Sequence, residues 1–181
     1  MLERARAERH ALLVAGTGAG KTLAGFLPTI CELVELLSPS RLREGAGGWA
    51  SEGEKTGPPP APPASGRGVS GADFLHTLYI SPLKALAVDV QRNLLDPIGE
   101  MGLPIRVETR TGDTPSDRKA RQRARPPQIL LTTPESLSLL LSYPDSFQIF
   151  AGLRTIVIDE IHAFARDKRG DLLALSLARL Q

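Results

Sequence analysis

The residues with the most legible chemistry are Ala15-Gly16-Thr17-Gly18-Ala19-Gly20-Lys21-Thr22. One small residue, four positions and then Gly-Lys-Thr is the spacing of a P-loop. A tight turn aims consecutive backbone N–H groups at one triphosphate, and a side chain at the crowded positions would block the approach. Lys21 supplies a positive point charge for the β- and γ-phosphates, and Thr22 offers a hydroxyl to Mg²⁺. Gly16, Thr17, Gly18, Ala19, Gly20, Lys21 and Thr22 are therefore the expected nucleoside triphosphate site. The bland alternative is a glycine turn with an incidental Lys-Thr, and the flanks argue against it. Ala11-Leu12-Leu13-Val14-Ala15 reads as a short buried parallel strand. Leu23, Phe26, Leu27, Ile30, Leu33, Val34 and Leu37 then recur at helical steps.

A second constellation lies near the C-terminus, where the apolar run Thr155-Ile156-Val157-Ile158 meets Asp159-Glu160-Ile161-His162. A carboxylate at a strand end beside a P-loop can orient Mg²⁺, which makes Thr22 and Asp159 the metal residues and leaves Glu160 to polarise the attacking water. His162 on chemistry alone reads as a packed polar residue. Lys84, close to a helix start, is well placed for a phosphate contact. The basic stretch with Arg118, Lys119, Arg121, Arg123 and Arg125 reads first as a solvated helix face and second as a phosphate contact. Thr132 and Thr133 have a structural explanation as strand end and helix cap. His10 and His76 show no partner, and no His or Cys spacing suits a structural metal.

Elements must place these groups together. A first helix is expected from about Lys21 to Leu37, with Pro28 inside it as a kink. Strands are expected at Leu75–Ile80, Pro104–Glu108, Gln128–Thr132 and Thr155–Ile158. Ser81-Pro82 and Thr133-Pro134-Glu135 each read as an N-cap followed by proline at the first helical position. A leucine-rich helix is expected from Gly170 to Leu180. Alternating strands and helices give an α/β fold with a parallel sheet, whose ligands gather beyond the carboxyl ends of the strands. Residues 38–73 break the pattern: glycines and Pro58-Pro59-Pro60-Ala61-Pro62-Pro63 cannot bury enough apolar surface, so a disordered insertion is expected. The 181 residues suit one domain, 41% hydrophobic content suits a globular one, and a net charge of +2 says little about nucleic acid. The single cysteine, Cys31, excludes an internal disulfide and reads as a small core residue. With no long apolar run and no leader pattern, a cytoplasmic protein without membrane contact is expected.

Taken in order, AGTGAGKT, YISPLKALAVDVQRNL, TRTGDTP, LLTTPESL and IVIDEIHAFARDKRGDLLALSLARL resemble the motifs of superfamily 2 helicases, and within them the Lhr (large helicase-related) group of DEAD/DEAH-type enzymes. The resemblance implies a RecA-like P-loop NTPase sheet, ATP and Mg²⁺ as cofactors, and ATP-driven translocation with strand separation on single-stranded or partially duplex nucleic acid. DNA is expected ahead of RNA, in repair or processing. It implies catalytic roles for Lys21, Asp159, Glu160 and His162, the last coupling hydrolysis to a second motor domain. Pro82, Leu83, Lys84, Ala85, Arg110, Thr111, Gly112, Thr132, Thr133, Pro134 and Glu135 would touch the backbone of one strand. Residues 1–181 would form part of the first RecA-like domain, with a sheet incomplete at both ends. The adenine-reading region, the Ser-Ala-Thr motif and the second RecA-like domain with its arginine finger have no counterpart in the chain. Two other readings stand beside this one: a module that binds nucleotide or nucleic acid without turnover, and an unrelated P-loop ATPase or kinase. The latter leaves the backbone-gripping motifs unexplained.

Overall fold

The computed structural model describes residues 10–14, 21–37, 73–165 and 167–180, with the side chain of Lys21 outside the described part. Helix α1 runs Lys21–Leu36 and continues through the buried Pro28. Four short strands follow: β1 Thr77–Ile80, β2 Val107–Arg110, β3 Ile129–Thr132 and β4 Thr155–Ile158. They pair in the order β2-β3-β1-β4, and every pairing is parallel. Parallel neighbours need crossovers. Helix α2 (Lys84–Glu100) links β1 to β2, and α3 (Ser116–Ala124) links β2 to β3. Helices α4 (Pro134–Leu141) and α5 (Ser146–Phe150) lie between β3 and β4. After β4 come α6 (Ile161–Phe164) and α7 (Lys168–Ala178).

The side-chain period of two along each strand sorts the core onto the two faces of the sheet. Tyr79, Ile129 and Leu131 join Phe26 and Leu33 of α1 and Val90 and Leu94 of α2 in one buried cluster. Leu78, Ile80 and Leu130 join Leu137 and Leu140 of α4 and Leu173 of α7 in the other. The inner strands β1 and β3 are buried at every residue, as a sheet covered on both faces requires. Cys31 is half-buried on α1.

Several expectations shift. The apolar run at residues 11–14 is not a strand, and Leu12 and Val14 are exposed. Such a run buries itself only by pairing with a distant strand, and its own composition does not determine whether that pairing forms. Ser81 and Pro82 precede α2 rather than start it. The Ser81 N–H extends the β1–β3 ladder to the Thr132 carbonyl at 3.0 Å, which delays the helix to Lys84. Leu83 is exposed just ahead of the helix. β2 sits later than expected and takes in Arg110. At β3–α4 the reading holds: Thr133 is the extended N-cap and Pro134 opens the helix. The lead-in before His10, the P-loop at 15–20 and the 38–72 part of the insertion lie outside the described residues.

The first turn of α7 comes close to the end of α6. A Cβ on Gly170 would stand 2.1 Å from the Phe164 carbonyl oxygen, so only glycine fits there.

Candidate nucleotide and nucleic-acid site

The sheet register brings the candidate residues to one rim. Ile80 aligns with both Thr132 and Ile158, and Thr132 aligns with Arg110, so all four strands end level. Beyond those ends stand Ser81-Pro82, Thr111-Gly112, Thr133-Pro134 and Asp159-Glu160. With strands about 4.8 Å apart, the rim is roughly 14 Å across.

At β4 the Asp159 N–H donates to the Ile80 carbonyl at 3.0 Å, which fixes the residue to the end of the ladder. Its carboxylate is anchored twice. The Glu160 N–H donates to Oδ1 at 2.8 Å, and the Tyr79 hydroxyl donates to Oδ2. Tyr79 is 1% exposed, and its ring packs 5.3 Å from that of Phe26 on α1. Burial, with the bond to Asp159 adding to it, pushes the phenol well above its ordinary value, so it remains a donor. Each Asp159 oxygen keeps further lone-pair capacity, and a carboxylate with a hydroxyl such as that of Thr22 is the hard-oxygen chemistry that suits Mg²⁺. Among the described residues no group of three or more His, Cys, Asp or Glu is placed to hold a metal ion.

Glu160 adopts φ 47 and ψ 46, the left-handed conformation that is costly for a side-chain-bearing residue. Its carboxylate lies 3.3 Å from His162 Nε2, and His162 is largely exposed.

The expected strand contacts divide into two sets. Leu83, Lys84, Ala85 and Gly112 are exposed. The Lys84 ammonium bonds both oxygens of Asp113, at 2.9 and 2.8 Å. It borders an open groove of about 490 Å³, lined also by Ala85, Val88, Thr111 and Arg118. The other set is turned inward. Arg110 is 3% exposed and donates to the Lys119 carbonyl at 2.9 Å. Burial holds this guanidinium below its usual value. Thr132 is buried, and its hydroxyl donates to the Arg110 carbonyl at 2.8 Å. Thr133 and Pro134 are also buried. Glu135 is exposed but bonded to Arg169 of α7.

The basic helix α3 is largely solvated, as expected, but its cations have protein partners. Arg118 and Arg121 reach Glu108, Lys119 donates to the Gly112 carbonyl, and Arg123 pairs with Asp145 while lying 4.0 Å above the Tyr143 ring. Sequence reading missed Tyr79 and Arg169 as site residues. The β-prone run Leu75–Ile80 placed Tyr79 in a strand, but no local signal aims its hydroxyl at Asp159.

The chain matches the DEAD/DEAH box helicase family over residues 1–181. It belongs to that family. Among relatives of this DEAD/DEAH box chain, the Lhr helicase/uracil glycosylase of Escherichia coli (strain K12) is 44% identical over 186 residues, covering 97% of this chain and 10% of that protein. The ATP-dependent helicase Lhr-Core of Methanocaldococcus jannaschii is 37% identical over 182 residues, covering 95% of this chain and 18% of that one. In structure, the chain is similar to the helicase Lhr of Mycobacterium smegmatis bound to ssDNA and AMP-PNP. The TM-score is 0.67 at 38% identity, over 94% of this chain and 18% of that one. The DEAD/DEAH box chain thus spans less than a fifth of the length of these relatives.

Proposed function

We propose that this chain is the nucleotide-binding and strand-gripping part of the first motor domain of an Lhr-type ATP-dependent helicase, acting on DNA in repair or processing in the cytoplasm. The observation that carries the reading is the level rim. It sets Asp159 and Glu160 next to the loop at 81–85 and on the same edge as the loops at 133–135 and 111–112. Hydrolysis chemistry and backbone contact then share one edge, so a change at the nucleotide can be felt at the strand.

In this reading residues 16–20 wrap the triphosphate with backbone N–H groups and Lys21 meets the β- and γ-phosphates. Thr22 and Asp159 would hold Mg²⁺, which when bound neutralises charge on the phosphates. Glu160 orients and polarises the attacking water, and His162 passes the state of the site to the second motor domain. Lys84 and the N–H groups of Gly112 and Thr133 grip the phosphate backbone without reading bases, which makes binding sequence-tolerant. Arg110 and Thr132 serve by holding these loops in place.

The test is ATP hydrolysis with and without single-stranded DNA, beside Glu160→Gln. Stimulated turnover that falls by about 10²-fold or more in Glu160→Gln is the expected result. Nucleotide binding with no turnover under any condition would instead favour a module that binds without hydrolysing.

A further inference from the structure

We propose that Arg169 screens the Glu135 carboxylate at the rim, so that strand binding depends on a side chain outside the contact loops. The proposal rests on the nucleic-acid reading above and names a positioning residue for it. Arg169 lies in the first turn of α7, after the Asp159-Glu160 turn. Its Nη2 donates to the Pro82 carbonyl at 2.7 Å and to Glu135 Oε2 at 3.2 Å, while Nε donates to Oε1. One guanidinium therefore joins the loop after β1 to the helix start after β3, in the forked geometry that arginine alone provides.

Glu135 is in the first turn of α4. A carboxylate there suits the helix dipole, but it opposes a phosphate arriving at the same terminus. Partial burial raises this carboxyl, yet the Arg169 bonds and the nearby N–H and Thr133 groups more than offset it and hold it below the usual range. Glu135 therefore stays charged and needs a counter-charge. Its side chain is 48% exposed and that of Arg169 is 34% exposed, so the pair adds little to stability. Its consequence falls on a passing anion.

The experiment is binding of a fluorescein-labelled oligothymidylate followed by anisotropy at low salt, with thermal melts of each variant. Arg169→Gln is expected to weaken binding by about three- to tenfold with little change in melting temperature, and raised salt should shrink the difference. Glu135→Gln alone leaves the Arg169 charge unopposed and is expected to tighten binding. Arg169→Gln combined with Glu135→Gln is expected to return to within about twofold of the unsubstituted protein. A double variant as weak as Arg169→Gln would show that the arginine acts only by bracing the loops, and would overturn the screen. If Arg169→Gln does not fold, Glu135→Gln still decides: weaker binding overturns the proposal. Binding that ignores both substitutions removes the screen alone. No binding by the unsubstituted protein removes the nucleic-acid reading and the screen with it.

Discussion

Asp159 and Glu160 are adjacent, but their backbones are held in opposite ways. Asp159 is locked into the β1–β4 ladder with both carboxylate oxygens anchored, whereas Glu160 is forced into the left-handed region. Tyr79→Phe keeps the ring against Phe26 and removes only the hydroxyl. It should weaken Mg²⁺-dependent triphosphate binding by about tenfold, leaving the binding seen in EDTA unchanged, as loss of a group orienting a metal ligand does. A Mg²⁺ titration with a fluorescent nucleotide reads both. Glu160→Gly should raise stability by about 1 kcal/mol by relieving the positive φ, while abolishing hydrolysis. A denaturant melt beside an ATPase assay would expose that opposition, and a destabilised variant would refute the strain. Residue types and spacing single out this pair in the sequence because phosphate and metal chemistry would restrict them. Tyr79 is not singled out, since its partner stands 80 positions away and no period or cap reports such a contact.

At the scale of elements, helix starts and strand ends were read well where one bond decides them, as at Thr133-Pro134. They were misplaced where the sheet competes. Ser81 has the composition of a cap, yet the ladder to Thr132 claims its N–H first. Arg110, expected at the strand contact, is packed inward against α3. At the opposite end of the sheet from the rim, His76 ties α1 to β1. Its Nδ1 lies 2.9 Å from Thr77 Oγ1, which donates to Thr29, and its Nε2 lies 3.2 Å from a Glu32 oxygen without the alignment of a hydrogen bond. Burial, with the Arg154 charge adding to it, pulls the imidazole down to about 4 from the ordinary 6.5. The unfolded chain therefore binds the proton first. The α1–β1 joint is at full strength above pH 6.5 and loses up to about 3 kcal/mol as pH falls toward 4. Urea melts across that range should show the decline, and His76→Gln should flatten it. Equal slopes in both proteins would argue against His76 as the source.

For the whole molecule, the sequence supported an α/β parallel sheet with its motifs on one rim, because strand–helix alternation and the position of each motif at a strand end are local properties. It did not reveal which cations are free. The chain carries only a small net charge, and on α3 Arg118 and Arg121 are spent on Glu108, Arg123 on Asp145 and Lys119 on the Gly112 carbonyl. Strand binding should accordingly rest on few phosphate contacts and fall gently with salt, each contact contributing about −0.7 to the slope of log K against log salt. Lys84→Ala should lower the slope by about that amount. An unchanged slope would mean that Asp113 keeps the Lys84 ammonium out of the contact.

The crowding at Gly170 reaches past the corner it shapes. With no room for a Cβ beside the Phe164 carbonyl, the start of α7 has one permitted path, and the neighbouring Arg169 is aimed along it. In a survey of every substitution at every position, Gly170 should tolerate nothing, alanine included, although it meets no ligand. Loss at Gly170 should include the weaker strand binding expected of Arg169 variants and add a loss of stability to it. A genetic map of this protein would then mark as indispensable a residue with no side chain, and the reason would be the direction in which its neighbour points.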